Sequence, residues 1–446
     1  MKNIMRRLRF TTPLVVSFFL ILSPTFSFFA RVVETKTNVA PLMTISALER
    51  EARRRVDAKP RVALVAETSD VFREVARLEP LGTARVPNYL RALAALPPTV
   101  KPFAHLVPTF IYSGAVTSEV KAAMGLRVAH INGSPYVAAH MQRVLAASER
   151  GRMLLGTIKT DKLASLPHAD QLALSYAETL TRDVNGVGDA DFQKVSAVYN
   201  DSQLVELTMT VAFFNYFTRL AEALNLPVEP WALETPGGVS TPSIAPAYQL
   251  SPARVALISD EEIGATSAAA LAVKDAAAQK AGLGLGMANS QRAMLRAPAL
   301  ALAWRAYGNA VREHATTVNR ETKLHVSFAV SMANGCRYCT LHQVLGLRRL
   351  GVDPAKLVAM KKNDAALSTR ERAAVEFARK LTREPATMGD ADYAKLKVEF
   401  GEPGALEVLL QTCTFNFMNR FTDGLRLPSE DEAIRVYEET YGRGGQ

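Results

Sequence analysis

The sequence predicts an all-α protein assembled from two tandem helical units, and three observations carry that expectation. Apolar residues recur at helical spacing: in "ERAAVEFARKLT", Ala374, Phe377, Ala378 and Leu381 stand at i, i+3, i+4 and i+7 on one face. Alternation of the strand kind is short and scattered. The chain also repeats itself. "SEVKAAMGLRVAHINGSPYVAAHM" (Ser118 to Met141) aligns with "RETKLHVSFAVSMANGCRYCTLHQ" (Arg320 to Gln343), sharing Glu119/Glu321, Lys121/Lys323, Val128/Val330, Asn132/Asn334, Gly133/Gly335, Tyr136/Tyr338 and His140/His342. Further on, "LTRDVNGVGDADFQK" answers "LTREPATMGDADYAK", and "FNYFTRLAEALNLP" (Phe214 to Pro227) answers "FNFMNRFTDGLRLP" (Phe415 to Pro428).

Along the chain, Lys2, Arg6, Arg7 and Arg9 precede the uncharged apolar run Pro13 to Ala30. That layout predicts a signal peptide or an N-terminal membrane anchor over residues 1–30, and so an exported (periplasmic or extracellular) or membrane-anchored protein. The first unit is expected over 60–228. A Pro-, Gly- and Ser-rich linker, 229–262, follows. The second unit, 263–440, opens on an alanine-rich stretch of helical propensity, "GATSAAALAVKDAAAQKAG". Within each unit an αα-hairpin is expected at the repeated motif. In the second, Asn319 is placed to cap a helix running to Ala333, and Asn334-Gly335 breaks it. A further helix then starts near Cys336 and stops at Gly351.

Composition bounds the function. The net charge of +10, from 53 Lys+Arg against 43 Asp+Glu, accompanies no basic-aromatic stripe, so nucleic acid is not an expected partner. Three cysteines do not make a disulfide scaffold. Cys413, within "ALEVLLQTCTFNFMNRF", reads as a small buried hydrophobe.

The chemistry lies in "NGCRYCTLHQ". Cys336, Cys339 and His342 recur every three residues along one helical ridge, with Cys336 at the helix start, where free N–H groups favour a thiolate. His342 is placed to accept a proton from Cys339, and two thiols so close can form a disulfide once one is oxidised. A c-type haem is unsuited, since Thr340 rather than histidine follows the second cysteine. The residues alone leave open a redox dithiol, a metal site short of its fourth ligand, and inert thiols.

This half resembles the alkylhydroperoxidase D-like / carboxymuconolactone decarboxylase family, through "SMANGCRYCTLHQVLGLRRLGV", "STRERAAVEFARKLTREP" and "EVLLQTCTFNFMNRFTDGL". A weaker likeness covers Arg85 to Pro227. The resemblance implies an all-helical fold, trimers or hexamers, and a cofactor-free, metal-free thiol peroxidase. Its substrate would be a hydroperoxide, and a separate thiol reductant would restore it. It implies that Cys339 is peroxidatic, Cys336 resolving and His342 a relay histidine. The family's relay glutamate, twelve residues before the first cysteine, is replaced here by Leu324. Glu321 and His325 are the nearby relay candidates. Ser134 and Val137 stand at the cysteine positions of the first unit, which is expected to be a degenerate copy acting as scaffold in a homo-oligomer. The alternatives are the family's cofactor-free decarboxylase chemistry and a non-enzymatic scaffold with vestigial thiols.

Overall fold

The structure, a computed structural model, describes residues 44–73, 75, 85–234, 254–259, 261–262, 287–362 and 364–442, with only the backbone at 361–362. The leader expected over 1–30, the alanine-rich stretch and most of the linker lie outside the described residues. Among those described there are seventeen α-helices and no strand, as the helical periodicity predicts. None of these helices is long and apolar enough to cross a membrane.

The first half contains α1 (Ile45–Arg54), α2 (Asn88–Leu93), α3 (Val100–Tyr112), α4 (Ser118–Ile131), α5 (Pro135–Ala146), α6 (Glu149–Lys159), α7 (His168–Arg182), α8 (Asp189–Ser196) and α9 (Asp201–Leu224). The second contains α10 (Asn289–Met294), α11 (Pro298–His314), α12 (Arg320–Asn334), α13 (Arg337–Arg349), α14 (Pro354–Lys362), α15 (Thr369–Arg383), α16 (Asp390–Gly424) and α17 (Asp431–Tyr441). α16 is two helices joined across a kink at Gly401, whose φ of 67° is open to glycine at little cost.

At the centre, α9 packs along the C-terminal segment of α16. α9 is buried on nearly every side, as its all-round apolar sequence requires. Trp304 on α11 stacks on Phe417 at 3.8 Å, and Phe110 on α3 packs against both Phe213 and Phe417, so the halves share one core.

The same polar ties recur in each half. Lys121 pairs with the buried Glu206, whose carboxylate also accepts the N–H groups of Ala115 and Val116. Lys323 pairs with Glu407 at 3.0 Å, which accepts those of Thr317 and Val318. These contacts explain why Lys121 and Lys323 both appear at the start of their helices: each lysine brings its charge to a carboxylate that closes a loop. The two halves also reach into each other. Arg219 donates to the carbonyl of Thr382 at 2.9 Å, and Arg420 to that of Thr181 at 3.1 Å.

The first half reaches beyond the span expected for it at both ends. Arg55 pairs with Glu222 at 2.6 Å and its carbonyl accepts the N–H of Val228, so the chain before residue 60 is part of the packing. Glu229, the first residue of the expected linker, is 5% exposed and bound into the first half.

Candidate active site

Local signals build the cysteine turn. Asn319 accepts the N–H of Thr322 at 2.8 Å and starts α12, a cap worth about 1 kcal/mol. Gly335, with φ of 71°, ends it, and the N–H of Cys336 bonds back to the carbonyl of Ser331 at 2.9 Å. Cys336 is then the N-cap of α13, its Sγ accepting the N–H of Cys339 at 3.3 Å.

Both cysteines are free and buried. Their sulfurs converge on one hydroxyl: Thr422 Oγ1 of α16 is 3.4 Å from Cys336 Sγ and 3.5 Å from Cys339 Sγ. The Thr422 hydroxyl also lies 3.0 Å from the carbonyl of Met418, to which it can donate. Burial, the Cys339 thiol and the Asp423 carboxyl push the Cys336 thiol well above its ordinary pKa, outweighing the Thr422 hydroxyl. Cys413 is buried in the core and its thiol is likewise pushed up by burial.

His342, on the same helix, makes its polar contacts away from the sulfurs. Nδ1 lies 2.7 Å from the carbonyl of Tyr338, which can only accept, so Nδ1 carries a proton. Nε2 lies 2.6 Å from Glu430 Oε2, within ion-pair distance. Glu430 Oε1 also accepts the Tyr338 hydroxyl at 3.1 Å and the N–H of Asn289 at 2.8 Å. Burial works against the Glu430 carboxylate, but His342 and the Asn289 N–H overcome it and hold the carboxyl below its usual range. His342 and Glu430 are 18% and 23% exposed, so the pair is partly open to solvent.

Glu321 and His325 are elsewhere. His325, fully buried on α12, is 3.1 Å from Glu371 of α15 and 3.7 Å from Glu321. Lys356 of α14 closes the group at 2.8 Å from Glu321 and 3.2 Å from Glu371. The ligand atoms of Glu321, His325 and Glu371 lie within 4.8 Å of one another, a spacing that could hold a cation. The Lys356 ammonium already supplies the positive charge there. No hydrogen bond or ion pair of this group reaches Cys336, Cys339 or His342.

In the first half Ser134 and Val137 occupy the cysteine positions, whereas the histidine arrangement persists. His140 Nε2 is 2.9 Å from Glu229 Oε2, and Glu229 Oε1 accepts the Tyr136 hydroxyl at 2.8 Å and the N–H of Asn88.

Residues 298–380 match the carboxymuconolactone decarboxylase family. That match lies within the second half of the chain. Two solved structures are similar to the chain. The debrominase Bmp8 without ligand is 23% identical over 38% of this chain and 89% of that one, with a TM-score of 0.33. A point variant of Bmp8 in complex with 2,3,4-tribromopyrrole is 22% identical over 36% of this chain and 87% of that one, again with a TM-score of 0.33. No curated protein matches the chain.

The carboxymuconolactone decarboxylase family match covers α12, α13 and most of α15, but ends before the other residues of the site. Sequence reasoning missed Glu430, Thr422 and Asp423. A signal for Glu430 was present: two residues beyond the last repeated block, "LPVE" ends on Glu229 and "LPSE" on Glu430.

Proposed function

We propose that this chain is a thiol-dependent hydroperoxidase of the alkylhydroperoxidase D-like kind. The observation that carries the reading is the convergence of two free thiols on Thr422, with His342 of the same helix paired to Glu430. Cys339 attacks the hydroperoxide O–O bond as the thiolate. It becomes a sulfenic acid, and the departing alkoxide takes a proton from the His342–Glu430 pair. Cys336, held as a thiol by its burial, then attacks the oxidised sulfur. The disulfide forms and water leaves. A thiol reductant, acting by exchange, restores the dithiol.

The first half, with Ser134 and Val137 in place of cysteines, serves as a degenerate scaffold copy. It packs its α9 against α16 and supports a homo-oligomer of the tandem chain. The leader places the protein outside the cytoplasm or at a membrane surface, where an electron donor is needed for repeated turnover.

The test is a stoichiometric dose of alkyl hydroperoxide added to the reduced protein, with peptide mass spectrometry of the product. Rapid consumption with a Cys336–Cys339 disulfide is expected. Unchanged peroxide and intact thiols would instead favour cofactor-free decarboxylase-type chemistry or a scaffold role.

A further inference from the structure

Away from the cysteines, one fully buried side chain is left without hydrogen bonds. His325 of α12 has neither ring nitrogen in a hydrogen bond. Its Nδ1 lies 3.1 Å from Glu371 Oε1 but without hydrogen-bond geometry, and its Nε2, 3.7 Å from Glu321 Oε1, is too far for one. A buried imidazole unmet on both sides costs stability and calls for a physical cause.

The charges around it do not balance. Glu321 and Glu371 bring two carboxylates. Lys356 of α14 brings one ammonium, 2.8 Å from the first and 3.2 Å from the second. Burial pushes the His325 imidazole toward its neutral form, which has a lone pair to offer and cannot serve as a second cation. Among the described residues the group therefore carries more negative charge than positive.

The first half balances the same frame differently. Ala123 stands at the position of His325. Asp170, which answers Glu371, is held through both oxygens by Arg150 at 2.9 and 3.1 Å. Glu119, which answers Glu321, accepts the hydroxyls of Ser118 at 3.1 Å and Ser148 at 2.9 Å. Each carboxylate there has its own donors, so the shared arrangement around a histidine is particular to the second half.

We propose that Glu321, His325 and Glu371 bind a divalent transition-metal ion of the zinc kind, which takes the place of the Lys356 ammonium. The three ligand atoms lie within 4.8 Å of one another. Ligands held at about 2.0–2.2 Å by one tetrahedral ion stand about 3.4 Å apart, so side-chain adjustment alone closes the site. The space is of the right kind, because an ammonium already sits between the two carboxylates. Lys356 is 27% exposed, and its flexible side chain can swing into water as the ion enters. The imidazole favours zinc-like ions over Mg2+ and Ca2+, which take oxygen ligands. Exchange of one positive charge for two neutralises the carboxylates, and His325 gains the partner it lacks. The ion ties α12 to α15 and so braces the helix that leads into the cysteine turn. None of this depends on the peroxidase reading.

The test is calorimetric titration of Zn2+ into the metal-free, full-length protein, with Co2+ absorption to report the ligands. One Zn2+ bound per chain is expected at this site, and bound Co2+ should lack the intense near-ultraviolet band of a cobalt–thiolate bond. His325→Ala and Glu371→Gln should each weaken binding by about 100-fold. Lys356→Met, which removes the competing ammonium, should strengthen it by about tenfold. Glu371→Gln keeps an oxygen for the cap it forms with the N–H of Ser368, so it reads binding even where His325→Ala fails to fold. Absence of binding in both the wild type and Lys356→Met would overturn the site, as would binding that Glu371→Gln leaves unchanged. A thiolate band that disappears in Cys336→Ser would place the ion at the cysteines and overturn it as well.

Discussion

His342 Nε2 lies 2.6 Å from Glu430 Oε2, while His342 Nδ1 is fixed by the carbonyl of Tyr338. The imidazole can therefore pass a proton only at its Nε2 side, through Glu430. Removing the carboxylate charge should disable the relay, and Glu430→Gln should lower hydroperoxide consumption by about 100-fold while Glu321→Gln changes it by less than about twofold. Stopped-flow consumption of a hydroperoxide by each reduced variant checks the contrast. Equal losses in both would return Glu321 to the relay.

That contrast shows where the sequence was readable. Asn319, Gly335 and Cys336 act on neighbours within a turn or two, so both helices of the hairpin and the break between them could be read residue by residue. Ala374, Phe377, Ala378 and Leu381 are all buried, as their spacing required. Glu430 meets His342 only because the chain after α16 returns across α13, and no local pattern encodes that return. Glu321 looked suitable because it shares a helix face with His325, but the packing of α14 and α15 gives both residues other partners. Thr422 and Asp423 were hidden within an apolar helix whose facing side only packing determines.

The two thiols should differ in role. Burial and the neighbouring Asp423 hold Cys336 protonated, which disfavours it as the first nucleophile. Cys339→Ser should abolish consumption, and Cys336→Ser should consume one equivalent and leave a sulfenic acid on Cys339 that a dimedone label captures. A labelled sulfenic acid on Cys336 in the Cys339→Ser protein would reverse the assignment.

His140 should matter to stability and not to chemistry. Its Nε2 is 2.9 Å from Glu229 Oε2, and Glu229 is 5% exposed. His140→Ala leaves that carboxylate short of a partner and should cost about 1–3 kcal/mol in urea unfolding. Hydroperoxide consumption should stay at the wild-type rate. A large loss of turnover at unchanged stability would mean that the first half shares in the chemistry.

Asp423 should oppose folding at neutral and higher pH. Its carboxyl titrates at about 7 in the folded chain, raised by burial from the ordinary carboxyl value of 3.8. The folded state therefore binds this proton more tightly than the unfolded state does. The stabilisation from that proton is fully present below about pH 4, the unfolded value, and is lost as pH rises through about 7. Above 7 the folded chain must hold a negative charge whose Oδ2 is buried without a hydrogen-bond partner. Asp423→Asn removes that charge and keeps the shape. Its stability relative to wild type should rise between pH 4 and 7 and level off above, reaching on the order of 1–3 kcal/mol. Urea melts of both proteins at pH 4.5 and 8 measure the difference. A variant that is less stable than wild type at pH 8 would mean that the folded protein stabilises the charged form of Asp423, and the open carboxyl oxygen would then need another explanation.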